Sequence, residues 1–135
     1  MSNLYTFSSE TLSELQKFRF ASARASKMQA IIYTIDKSTY EVKKESDEIF
    51  NDIDSLREEL PDTSPRFILL SYPYKSDDGR LVSPLVLVYW KPPSGQEMKM
   101  LFAGAVEMFR GKAGVSKLIS IEDEDEFDDI EEQLK

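Results

Sequence analysis

The chain has 135 residues, 41% of them apolar, and a formal net charge of -8 at pH 7; it is long enough to bury one substantial core, and residues 1–135 are expected to form a single domain. Histidine and cysteine are both missing, which removes nucleophilic triads, the common zinc ligand sets, disulfides and the neutral-pH proton shuttle. No enzyme, metal or cofactor is expected, although carboxylate-only catalysis or a magnesium site passes the same filter. Without an apolar run of about 18 residues or a basic-then-apolar amino terminus, neither a membrane span nor secretion is expected, and a cytoplasmic location is the default.

Leu12, Leu15 and Phe18 recur at threefold spacing, so residues 9–19 read as a first helix capped by Ser8 or Ser9. Lys17 and Arg19 then lie at its end, where cations complement the helix dipole or meet a partner. The β-formers of residues 28–36 and 40–44 flank Lys37-Ser38 as a hairpin. Ile49, Ile53, Leu56 and Leu60 give a second amphipathic helix that Pro61 stops. Residues 67–74 and 81–90 flank KSDDGR, where Asp78-Gly79 tolerates the positive φ of a hairpin turn, so these two strands are adjacent and antiparallel.

Residues 85–90, LVLVYW, form an unbroken apolar run, the pattern of a central strand covered on both faces, and helices should therefore flank the sheet. Pro92 and Pro93 end the strand, and Ser94 with Glu97 makes a capping box for a third helix starting near Gly95. Residues 117–121 make a last strand, parallel to a neighbour because a helix connects the two, so the sheet is mixed. Residues 122–132 hold 9 of the 25 acidic residues and no basic one, leaving residues 1–121 neutral at 16 against 16. That distribution argues against nucleic-acid binding, which needs a basic stripe. Phe127, Ile130 and Leu134 give residues 123–134 the apolar seam of a fourth helix with solvated charges. The cluster lacks the turning glycine and ligand spacing of an EF-hand.

At about 100° per residue, Met98, Leu101, Phe102, Ala105 and Phe109 share one stripe of the third helix, the core face. The opposite stripe carries Met100, Ala103, Gly104 and Glu107, with Lys99 and Arg110 at its edge. A thioether beside two nearly side-chain-free residues makes a flat apolar strip of the kind monomers seldom leave uncovered, which points to protein recognition. Gly104 costs roughly 1 kcal/mol against alanine inside a helix. Because it projects away from the core stripe, close approach of a partner's backbone explains it better than helix-to-sheet packing.

The order of elements and the block KMLFAGA at 99–105 resemble the actin-depolymerising-factor homology domain, the cofilin-like fold related to gelsolin segments. KFRF at 17–20, AIIYTIDK at 30–37, LPDTSPRF at 60–67 and DDGR at 77–80 look like the glia maturation factor family, over nearly all of residues 4–134. The resemblance implies an α/β (α+β) fold with a central mixed sheet of about five or six strands between helices. It further implies binding of the actin-related protein 2/3 complex, inhibition of its nucleation and debranching of actin filaments, at cortical patches or other branched networks. Actin itself would be at most a weak partner, the protein a monomer, and no nucleic acid or membrane would be bound. A cofilin-like actin binder that severs or depolymerises filaments is the alternative. Against it, the strongly basic second half of the cofilin helix is replaced here by Val106, Glu107, Met108 and Phe109.

Carried over by position, the family's docking surface maps onto Lys99, Met100, Ala103, Gly104 and Glu107, with the arm Ser2, Asn3 and Leu4 beside it; Lys17 and Arg19 remain candidate partner contacts from their place on the first helix. The arm is expected to be mobile when unbound, and a phosphate on Ser2 would add negative charge there. A second contact surface maps onto Asp77, Asp78 and Arg80 together with the acidic tail. Asp77 and Asp78 as a catalytic carboxylate pair are a poorer reading, since Asp is favoured in such turns by local backbone hydrogen bonds. Residues 21–29 do not match the animal relatives, and nothing is transferred onto them.

Overall fold

The structure, a computed structural model, describes residues 4–23 and 26–134. Its frame is a five-stranded sheet built from β1 (Gln29–Ile35), β2 (Val42–Lys44), β3 (Arg66–Ser71), β6 (Leu85–Trp90) and β7 (Lys117–Ile121), in the order β2-β1-β3-β6-β7. Every neighbouring pair is antiparallel except β6 and β7, which are parallel, so the sheet is mixed as expected. The remaining two strands, β4 (Tyr74–Lys75) and β5 (Leu81–Val82), form a separate ribbon extending the β3–β6 hairpin.

Double-sided burial explains the apolar run in β6. Leu87 and Tyr89 face one side of the sheet with Phe67 and Leu69, while Val86, Val88 and Trp90 face the other with Ile68 and Leu70. The first side is covered by α1 (Ser9–Ser22) and α3 (Gln96–Ala113), through Leu15, Phe18, Phe102 and Phe109. The second is covered by α2 (Ile53–Glu59), a 3-10 helix (Glu124–Asp129) and α4 (Ile130–Leu134), through Leu56, Phe127, Ile130 and Leu134.

Four local expectations need correction. The first helix is capped by Ser8, whose Oγ accepts from Thr11 N at 3.0 Å, but it runs on to Ser22. Ser22 is buried, and its carbonyl accepts from Ser71 Oγ at 3.4 Å, which ties the extra turn to the sheet. Lys17 consequently sits inside the helix and not at its end. The second helix begins only at Ile53, where Asp52 caps it by accepting from Ser55 N at 2.7 Å. Ile49 is left exposed outside it, and Phe50 takes the core position by bridging Ala30 with two backbone hydrogen bonds of 2.9 Å.

The third helix starts where the sequence places it, with Gly95 as its N-cap, but the Ser94–Glu97 box does not form. Ser94 is one residue too early: its Oγ donates to Pro92 O at 2.8 Å, while Glu97 pairs with Lys37 at 3.7 Å. The acidic tail is not one helix. Asp123 and Glu126 form a true capping box, with Glu126 Oε1 accepting from Asp123 N at 3.1 Å, and the chain winds as a 3-10 helix before α4. Its apolar seam of Phe127, Ile130 and Leu134 is buried as expected.

Phe109 joins the helix to the sheet, with ring centroids 5.1 Å from Tyr33 and 5.0 Å from Phe67. Phe109→Ala should lower unfolding free energy by about 3–5 kcal/mol, the range for a fully buried aromatic. Urea denaturation checks this, with Leu81→Ser on the exposed ribbon expected to stay within about 0.5 kcal/mol of wild type.

Candidate functional site

Because Leu101, Phe102, Ala105, Phe109 and Ala113 anchor α3 in the core, the positions between them must face outward. Lys99, Met100, Ala103, Gly104 and Glu107 are all exposed, Met100 by 64%. They form one ridge. Two hollows border it. On one flank a cavity of about 320 Å³ lies between Leu4, Tyr5, Lys37, Tyr40 and Met100. On the other a cavity of about 620 Å³ is lined by Lys99 and Ala103 together with Tyr89, Lys91, Glu122 and Asp123.

The charges on the ridge are unequal in availability. Glu107 is held by Arg110 at 2.6 Å, and the same guanidinium donates to Ser116 O at 3.0 Å. Lys99 forms no ion pair among the described residues. The ridge therefore offers a partner one uncommitted cation, one thioether and a nearly bare helical backbone.

Gly104 has a cause within the chain, in addition to the partner's backbone expected from the sequence. A Cβ at this position would collide with the Tyr5 hydroxyl. That hydroxyl donates to Leu101 O at 2.8 Å, so the segment ahead of α1 crosses the helix at its glycine. Partial burial, and behind it the nearby Tyr40, push the Tyr5 phenol above its usual pKa. Leu4, the residue before it, is 57% exposed and stands on the same hollow as Met100. Ser2 and Asn3 lie outside the described residues.

Lys17 and Arg19 are not part of the ridge. Lys17 is exposed on α1, and the Arg19 guanidinium lies 5.2 Å over the Phe20 ring and against Gly114, which ends α3 with φ 73°. Arg19 thus places its cation at the carboxyl end of a neighbouring helix, where the dipole favours it. At 1.5 Å of rise per residue, that end is about 20 Å from Met100.

Asp77, Asp78 and Arg80 occupy the exposed turn between β4 and β5, where Gly79 takes φ 86°. Asp78 accepts from Ser76 Oγ and from Arg80 Nε at 3.1 Å, and these bonds, the serine's first, hold its carboxyl below the usual range. That is turn chemistry. The ribbon also meets the acidic tail, with Tyr72 Oη 3.2 Å from Glu131 Oε1 and Tyr74 Oη donating to Leu134 O at 3.4 Å. These two tyrosines tie the base of the ribbon to the last helix, while Asp77, Asp78 and Arg80 lie in the exposed turn beyond them. Among the described residues there is no group of three or more acidic side chains able to hold a metal ion, and no helix is long and apolar enough to cross a membrane.

Sequence periodicity found the ridge but missed Tyr5, Lys37 and Tyr40, which reach it from other elements. No spacing rule connects them to α3; the only sequence signal was an unexplained glycine facing solvent.

A mixed sheet between two helical layers, with a long helix presenting a bare outer ridge, defines a protein of the actin-depolymerising-factor homology class. The model for the cofilin/tropomyosin-type actin-binding proteins matches residues 4–135. Protein AIM7 of Saccharomyces cerevisiae is 44% identical over 147 aligned positions, covering 100% of this chain and 99% of the relative. Human glia maturation factor beta is 34% identical, covering 83% of this chain and 78% of the relative. The solution structure of glia maturation factor from Caenorhabditis elegans superposes with a TM-score of 0.73 at 36% identity, covering 93% of each chain. A cofilin from Streptomyces griseoflavus superposes with a TM-score of 0.78 over 96% of each chain, but at 20% identity it shows the fold alone. The chain belongs to the cofilin family of actin-cytoskeleton regulators and, within it, to the glia maturation factors.

Since Lys99 and Met100 support nothing in the core, Lys99→Ala and Met100→Ala should each unfold within about 0.5 kcal/mol of wild type. Thermal or urea unfolding of the two variants measures this, and a drop above about 1 kcal/mol would assign the ridge a folding role.

Proposed function

We propose that the protein binds the actin-related protein 2/3 complex through the outer ridge of α3, inhibits its nucleation and dismantles filament branches without catalysing a reaction. The observation that carries this reading is the exposed ridge of Met100, Ala103 and Gly104 with the free Lys99, flanked by two hollows. Its slimness lets it enter a cleft between subunits. The work would come from tighter binding to the parted junction than to the intact one, where each tenfold difference in affinity corresponds to about 1.4 kcal/mol.

Membership among the glia maturation factors supports the choice of partner. So does the second half of α3, where Phe109 is buried, Val106 and Met108 are half-buried and Glu107 is neutralised by Arg110. This is poorly suited to an acidic filament surface. Ser2 and Asn3 with Leu4 would extend the contact along the ridge, Lys17 and Arg19 would meet the partner from α1, and Asp77, Asp78 and Arg80 beside the acidic tail would form a second contact. The protein would act as a monomer in cortical actin patches or other branched networks.

The family description as actin-binding favours a second reading, in which the same ridge binds actin and severs or depolymerises filaments. Imaging branch lifetimes with purified protein separates the two. The double variant Lys99→Ala/Met100→Ala should lose debranching about tenfold or more, the size of a hot-spot truncation, and wild type should pellet poorly with pure filaments. Full debranching by the double variant would discard the ridge as the docking face, and strong pelleting with no effect on branches would favour the second reading.

A further inference from the structure

The crossing of Tyr5 over Gly104 has a consequence for the docking face itself. Leu101 O already serves the helix, and its second lone pair opens to the outside only where residue 104, one turn ahead, has no side chain. Tyr5 uses that opening, with a hydroxyl bond of 2.8 Å. The same segment is held from the other side. Thr6 N donates to Tyr40 O at 2.9 Å and Val42 N donates to Thr6 O at 2.8 Å, so residues 5 and 6 bridge α3 and the β1–β2 hairpin. The Tyr5 and Tyr40 rings pack at 5.7 Å. Tyr40 also carries a φ of 61°, unusual for a bulky residue, and its strained turn is held by the Asp36 carbonyl, which accepts from Tyr40 N at 2.7 Å.

Resting on the docking role of the α3 ridge, we propose that Tyr5 is a positioning residue: its hydroxyl, seated on Leu101 O over Gly104, locks the amino-terminal segment so that Leu4 and Met100 meet the partner as one preformed apolar surface. Without the lock, Leu4 would have to be ordered at the moment of binding, and that ordering lowers affinity. Gly104 is the seat of the lock; the partner need not touch it.

The test is a cycle of Tyr5→Phe, Gly104→Ala and the double variant, each followed by amide exchange and by binding to purified actin-related protein 2/3 complex. Gly104→Ala should speed exchange of the Thr6 and Val42 amides about tenfold and weaken complex binding about fivefold to tenfold. Tyr5→Phe, which keeps the ring and loses only the hydroxyl, should weaken binding about threefold. Removal of the hydroxyl leaves the added alanine Cβ in ordinary contact with the ring, 3.4 Å from Tyr5 Cζ. The double variant should therefore recover to the level of Tyr5→Phe, a non-additivity that general damage to the helix would not produce. Unchanged Thr6 and Val42 exchange in Gly104→Ala, released exchange with unchanged affinity, or a double variant as poor as Gly104→Ala would each overturn the proposal. Met100→Ala separates the layers: if it loses binding while Gly104→Ala retains it, only the lock is wrong. If both bind as wild type, the docking reading fails and the lock falls with it.

Discussion

Burial of β6 on both faces is the constraint from which the rest of the molecule follows. A strand with Leu87 and Tyr89 on one side and Val86, Val88 and Trp90 on the other is buried on both faces, so each face must recruit a helical layer. The side that receives α3 fixes that helix by Phe102 and Phe109 against Phe67, at centroid distances of 5.3 and 5.0 Å. Those two rings, seven positions apart, set the rotation of the helix about its axis. Once they are seated, the positions at Lys99, Met100, Ala103, Gly104 and Glu107 have nowhere to point but outward. The ridge is thus specified by the core, and at Lys99 and Met100 its chemistry is free to vary without cost to the fold.

That separation explains which parts of the molecule could be read from the sequence. Periodicity reports on burial, so it recovered the central strand, the core stripe of α3, the parallel last strand and the seam of Phe127, Ile130 and Leu134. It does not report on caps that depend on which of two adjacent residues takes the extended backbone. Ser94 resembles a cap, but Gly95 occupies that position, and the working box belongs to Asp123 and Glu126. Nor can periodicity distinguish a helix turn from a bridge: Ile49 continues the spacing of α2, yet Phe50 wins the core site because its backbone pairs with Ala30. At the site, the ridge was legible because one helix supplies it. The hollow of Tyr5, Lys37 and Tyr40 was not, because three separate segments converge there only after folding.

The acidic tail shows a similar division of labour. Its nine carboxylates give the chain nearly all of its charge imbalance, yet its role in the fold is carried by three apolar side chains that close the second core. Some of the carboxylates are occupied locally: Asp123 and Glu126 cap, Asp128 pairs with Arg57 at 3.0 Å, and Glu131 lies near Tyr72. Glu122 pairs with Lys91 at 4.0 Å. The tail's charge keeps the last helix solvated, and its first residues, Glu122 and Asp123, reach the hollow beside Lys99 and Ala103.

Gly104 carries a general point about inferring interfaces from small residues. A glycine on the outer face of a helix looks like a cleared path for a partner, and the helix gives up about 1 kcal/mol of propensity to keep it. Here the path is taken by the chain's own Tyr5, whose hydroxyl occupies the space that a Cβ would need. The two explanations make the same demand on the sequence, absence of a side chain, and differ only in the identity of the approaching group. What distinguishes them is whether a polar atom of the same chain already satisfies the exposed carbonyl. Leu101 O is satisfied by Tyr5, so the glycine belongs to the architecture that presents the ridge, and Met100 and Lys99 are left as the residues whose exposure the fold itself does not require.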